Sequence, residues 1–446
     1  MSEKSFFKGK VLEIALPITI QSLIQASFGA IDQFMIGQLG TDCVAGVGLG
    51  SKFASIFTVI AAAISTAASI LIAQYVGKKE NEGINKSFFT NLFIIIAVAI
   101  FFSVISIVFP YNIMKIYSND ADIVAIAGSY LKIIGLGFIP VALSYLISVL
   151  LRCVNYVKFP LYASILSAMI NIGLNYLLIF GNLNFPKMGV EGAAYATTIS
   201  RIVEVLILIC MVVRLNIKKV LHFSFRWTKT KKFGQTLMTI LLPIIACEFL
   251  WSLGENVYSV VYGRIGADAC AAMTLTNPIQ SIMIGALTGI SSASGIIIGK
   301  RIGEGNYEKA YMESKKFMLY GLIGACMLSI LIILLKSTYV SIFKVDENVR
   351  ILAQKILVVY GFIGPIKVEN MILGGGILRS GGKTKYVMWI DFFGTWCVGV
   401  PLALLSGFVL SMPIYLVYLF LSMEECVRLI ISFVVFKKKC WIQSVV

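Results

Sequence analysis

Histidine occurs once in 446 residues, at His222, and the nine cysteines form no C-x-x-C pair. A structural zinc centre needs a cluster of such ligands, so none is expected, and the cysteines read as small apolar core residues. One histidine cannot supply an H-E-x-x-H motif, and no G-x-S-x-G nucleophile elbow occurs, which removes two signatures of an intramembrane hydrolase. Neither an enzyme nor a cofactor is expected. Charge is scarce as well: 13% of residues are charged against 58% hydrophobic, where soluble domains carry about 25% charged residues. A chain so poor in polar surface is a polytopic membrane protein.

What is abundant is apolar sequence in runs of about 20 residues or more, the length that crosses hydrocarbon as a helix. Twelve such helices are expected, near 11–37, 45–76, 88–110, 122–152, 159–181, 189–214, 235–262, 269–299, 316–336, 347–378, 385–409 and 412–436. The net charge of +16 invites a nucleic-acid reading, but its placement argues against one. The basic residues collect in alternate connections: Lys4, Lys8 and Lys10; Lys78, Lys79 and Lys86; Arg152 and Lys158; Arg214 to Lys232; Lys300 to Lys316; Arg379, Lys383 and Lys385; and Lys437 to Lys439. The positive-inside rule puts those connections, and with them both termini, in the cytoplasm of a multi-pass membrane protein. The basic N-terminus before an apolar run resembles a signal peptide, but the run is too long and no small-residue cleavage site follows, so it reads as the first span.

Residues 17–77 and 243–303 align without a gap, Pro17 on Pro243, Gly37 on Gly263, Gly40 on Gly266, Asp42 on Asp268 and Gly77 on Gly303; further on, Leu151-Arg152 matches Leu378-Arg379. An even number of helices per copy makes the repeats parallel, an arrangement found among transporters. The expected fold is all-α, with twelve transmembrane helices in two pseudo-twofold-related six-helix lobes. An N-terminal lobe of residues 1–215 and a C-terminal lobe of residues 234–446 are joined by a basic cytoplasmic linker at 216–233.

Several helices carry polar stripes. An ionised side chain in hydrocarbon costs at least about 2.5 kcal/mol, so each acid there needs a partner or a purpose. Gln21, Gln25 and Asp32 share one face of the first helix; Ser164, Ser167, Asn171 and Asn175 line the fifth; Thr197, Arg201 and Glu204 follow on the sixth. In the second half, Glu248, Ser252, Glu255 and Ser259 share a face, with both glutamates read as unpaired acids offering a place for a cation or a substrate. Arg201/Glu204 and Glu424/Arg428 read as internal ion pairs, for which a scaffolding role competes with a functional one. Asp32 lies close to the Gly37 that ends its helix, so contact with interfacial water competes with a buried role.

The stretches ALPITIQSLIQASFGAIDQFMIGQLG and VAGVGLG, with NIGLNYLLIFG and GVEGAAYATTISR later in the first half, resemble signatures of the MATE (multidrug and toxic compound extrusion) transporters. That resemblance implies a plasma-membrane antiporter expelling small lipophilic cations in exchange for protons or Na+; a monomer in the bilayer is expected. It assigns ion coupling to Asp32, Asn171, Asn175 and Thr197. This chain departs from the family at Asn175, where a second carboxylate is common. Two carboxylates suit Na+ or a shared proton, so a lone Asp32 makes proton coupling the simpler expectation, with Na+ at Asp32 the alternative. Gln21, Gln25, Glu248 and Glu255 are the candidates for the substrate cavity. A flippase for lipid-linked sugars or peptidoglycan precursor, from the same wider superfamily, is the competing function; its pyrophosphate would need Lys52, Lys132, Arg201, Lys355 or Lys367.

Overall fold

In hydrocarbon a backbone can satisfy its N–H and C=O groups only internally, which favours helices for long apolar runs. The computed structural model describes residues 3–217, 231–343 and 345–446, and none of these residues lies in a strand. The first half comprises α1 (Glu3–Gly37), α2 (Thr41–Lys78), α3 (Asn81–Val108), the short α4 (Pro110–Tyr117), α5 (Ala121–Leu136), α6 (Phe138–Cys153), α7 (Lys158–Phe180) and α8 (Gly189–Ile217). The second comprises α9 (Lys231–Ile265), α10 (Ala267–Gly303), α11 (Tyr307–Ser341), α12 (Glu347–Asn370), α13 (Thr384–Phe392), α14 (Val400–Leu404), α15 (Ile414–Leu421) and α16 (Met423–Lys437). Most of the expected linker, 218–230 with His222, lies outside the described residues.

Among the described residues nine helices are long and apolar enough to cross a membrane, and a bent pair makes a tenth. The bent pair is α5 with α6, expected as one straight span at 122–152. It turns by 47° at Gly137, and Pro140, in the first turn of α6, costs no hydrogen bond because an N–H there has no helical partner. The other two expected spans are α1 and the α15–α16 pair, which is interrupted at Ser422. α12 runs on as a π-helical stretch, Met371–Leu378, and two more follow at Phe393–Gly399 and Leu405–Val409. Such insertions widen a helix locally and often mark functional regions. α3 and α11 bury only 28% and 17% of their most apolar windows; their exposed Phe93, Phe101, Met327 and Leu334 suit a lipid solvent.

The turns between the first two helices of each half are built alike. Gly40 (φ 114°) precedes α2 and Gly266 (φ 150°) precedes α10, in backbone that disfavours any residue with a Cβ. Asp42 and Asp268 follow in the first helical turns, where a carboxylate meets the positive end of the helix dipole. Gly37 and Gly263, matched in the repeat too, have open space where a Cβ would sit. Gly40→Ala and Gly266→Ala are therefore expected to destabilise by about 1–2 kcal/mol each, and Gly37→Ala not at all. Thermal unfolding of the detergent-solubilised protein distinguishes these outcomes.

By contacts the chain forms two compact units, Ile20–Lys229 and Met1–Thr19 with Thr230–Val446. The boundary runs through α1 just beyond Pro17, where Thr19 Oγ1 donates to the Ala286 carbonyl at 3.1 Å.

Candidate functional site

In the Ile20–Lys229 unit, α7 and α8 pack closely because Gly192 lets their backbones meet: a Cβ there would lie 2.6 Å from the Leu178 carbonyl oxygen. That approach brings the polar stripe of α7 against Thr197 of α8, with Asp32 of α1 alongside. Asn175 Nδ2 donates to Asp32 Oδ1 and to Asn171 Oδ1 (3.2 Å), and Asn171 Nδ2 donates to Thr197 Oγ1 (3.3 Å). The four residues assigned to coupling by resemblance thus form one hydrogen-bonded ladder. Asn171 and Asn175 are fully buried, and Asn175 Oδ1 has no hydrogen-bond partner. Beside the ladder, where Ile31 and Tyr176 adjoin Asp32 and Asn175 in sequence, is a mostly apolar cavity of about 660 Å³, lined also by Phe34, Met35, Phe180 and the amides of Gln38 and Asn182, within the size range of drug-binding pockets.

A second chain of bonds lies on the same helices. Arg152 donates to Gln21 Oε1, Gln21 Nε2 to Ser164 Oγ (2.8 Å), and Ser164 Oγ to Glu204 Oε1 (3.0 Å), while Arg201 pairs with Glu204 at 2.8 Å. The Arg201/Glu204 pair forms as expected. It occupies a guanidinium that a pyrophosphate-binding flippase would need free. Gln21 belongs to this chain rather than to the cavity, and Gln25 is exposed.

The other unit changes two expectations. Glu248 is not an unpaired acid: Arg379 bonds it at 3.2 Å. Arg428 does not pair with Glu424 but with Asp391, through Nε at 3.0 Å and through a closer contact, and with Glu425 at 3.5 Å. Glu424 instead accepts from the Tyr258 hydroxyl at 2.7 Å. Helical spacing could not foresee this, because Asp391 arrives from α13 and outcompetes the local i,i+4 partner. Glu255 lines a cavity of about 170 Å³ together with Tyr258, Lys367 and Glu424.

The MatE family model matches residues 17–177 and again 243–405. Two matches in register with the internal repeat, over most of the chain, decide its membership. The chain belongs to the MatE family. MatE chains are membrane transporters, and this one is 24% identical to the uncharacterized transporter YisQ of Bacillus subtilis, over 99% of this chain and 96% of that one. It is 25% identical to the probable multidrug resistance protein NorM of Thermotoga maritima, over 88% and 84%. In fold it matches a MOP superfamily transporter from Pyrococcus furiosus described as having a binding pocket of reverse polarity, at TM-score 0.88 and 18% identity over 97% and 95% of the two chains. The MatE fold is twelve helices in two lobes.

The repeat gives the buried networks of this MatE chain a common plan. Arg152 and Arg379 are repeat mates, as are Gln21 and Cys247. Where Arg152 bonds Gln21 and Gln21 bonds Ser164, Arg379 bonds Cys247 Sγ at 3.2 Å and Cys247 Sγ donates to Asp391 at 2.7 Å. The positions are kept while the chemistry changes from a mostly neutral chain to an ionic one. Asp32 has no such echo, since Tyr258 stands at its place. Asp391 is the important residue that sequence reading missed, although an acid amid the apolar run WIDFFG carried the signal that singled out Asp32.

Proposed function

We propose that this MatE chain is a secondary active antiporter of the plasma membrane, monomeric and with both termini cytoplasmic, that exports lipophilic cations in exchange for protons. The observation that carries the reading is the ladder from Asp32 through Asn175 and Asn171 to Thr197, set beside an apolar cavity. The likeness to the Thermotoga maritima relative, a probable multidrug resistance protein, supports a drug-like substrate. Ionised, Asp32 accepts from the Asn175 amide and attracts a cation whose apolar body fits against Phe34, Met35, Tyr176 and Phe180. A proton on Asp32 removes that attraction and adds an O–H donor to the carboxyl, whose other oxygen can still accept from the amide. The unpartnered Asn175 Oδ1 is an acceptor available to the new O–H. Each protonation state thus has its own hydrogen-bonded arrangement, and cation and proton exclude one another, as reciprocal coupling requires.

Na+ fits less well, because it would find one carboxylate and otherwise neutral oxygens. Ethidium efflux from proteoliposomes, driven separately by a pH gradient and by a Na+ gradient, tests the choice. Efflux under the pH gradient alone is expected; efflux under Na+ alone would replace the proton, and efflux under neither would favour the flippase.

A further inference from the structure

The small cavity in the second unit is lined by charges of both signs that form no direct ion pair with one another. Glu425 Oε2 is engaged by Asn370 Nδ2 at 2.8 Å and Arg428 at 3.5 Å, and Glu424 Oε2 by the Tyr258 hydroxyl. Tyr418 hydrogen bonds to Gln280 at 3.0 Å. Glu255 and Lys367 line the same space, and neither side chain is held by a hydrogen bond or ion pair from another side chain among the described residues. Two ionised groups of opposite sign in one largely apolar lobe, neither neutralised by direct contact, carry a desolvation cost that a bridging ligand would offset.

The lining restricts that ligand. A simple cation is repelled by Lys367, and a simple anion by the three glutamates. No group of three or more His, Cys, Asp or Glu among the described residues is placed to hold a metal ion. At about 170 Å³ the space falls below the ~300 Å³ where drug-sized pockets begin. We propose that this cavity binds a small zwitterion of amino-acid size, its ammonium toward Glu255 and Glu424 and its carboxylate toward Lys367. The Tyr258, Tyr262 and Tyr418 rings supply π-faces suited to an alkylammonium. This site is independent of the Asp32 ladder and goes beyond the exchange of lipophilic cations.

The test uses three probes with one isobutyl side chain: leucine, isoamylamine, which lacks the carboxylate, and 4-methylpentanoate, which lacks the ammonium. Binding to the full chain in lipid nanodiscs should favour leucine over either analogue by about tenfold or more, the effect of about 1.4 kcal/mol. Lys367→Gln should lose that preference and gain affinity for isoamylamine, while Glu255→Gln should move selectivity toward 4-methylpentanoate. These opposite gains are readouts that a misfolded variant cannot produce. Absence of saturable leucine binding, tighter wild-type binding of isoamylamine, or unchanged selectivity in Lys367→Gln would each overturn the assignment. Leucine binding by Asp32→Asn separates this proposal from the antiport: it is retained if the cavity is the site, whether or not that variant transports, and its loss would count against the cavity.

Discussion

Replacing Asp32 with Asn is expected to reduce coupled drug efflux to background, a loss of at least about tenfold, while the protein still folds. Asn keeps the shape and can accept from Asn175, so the ladder survives; what disappears is the only carboxylate in it. The reverse substitution gives a second, opposite readout. Asn175→Asp adds a second acid next to the first, enough charge and oxygen to hold Na+ or to share a proton. That variant is expected to acquire Na+-stimulated efflux that the wild type lacks. Efflux assays in whole cells, with expression and size-exclusion profiles matched between variants, measure both effects. Normal efflux by Asp32→Asn would remove Asp32 from the mechanism.

The largest effect on stability is expected at Asp391. Its carboxylate sits between Arg428 and Arg379, the latter at 4.0 Å, and accepts from Cys247. Asp391→Ala would leave two guanidinium groups of the lobe short of their counter-charge. Glu248 and Glu425 compensate only in part, and breaking a buried pair in this way costs about 3–5 kcal/mol. Ser164, which plays the corresponding part in the first lobe, bridges Gln21 and Glu204 with a neutral hydroxyl, and Glu204 keeps Arg201 when that hydroxyl is removed. Ser164→Ala should therefore cost only about 1 kcal/mol. Thermal unfolding followed by fluorescence-detected size exclusion compares the two directly. Equal melting temperatures would mean that the ionic network contributes little to the lobe.

Much of this was legible in the sequence because hydrocarbon imposes simple rules. Apolar length marks the spans, and the recurrence of Pro17, Gly40 and Asp42 as Pro243, Gly266 and Asp268 exposes the repeat. Spacing of four residues put Asn171 and Asn175 on one face of α7. Partners across helices were the part that spacing could not supply. Glu248 looked free until Arg379, far along the chain, met it, and Arg428 looked committed to Glu424 until Asp391 arrived from α13. The break at Gly137 was illegible for a related reason: a bent pair and a straight span have the same apolar length.

On the proposed antiport, drug leaves as protons enter, through the Asp32 ladder. Its most direct measurement loads proteoliposomes with a pH-sensitive dye, applies an ethidium gradient with no initial pH difference, and follows lumenal pH. Wild-type protein is expected to move protons against the ethidium flux, and Asp32→Asn to move none. Ethidium flux in the wild type without any change in lumenal pH, or proton movement that persists in Asp32→Asn, would contradict the account.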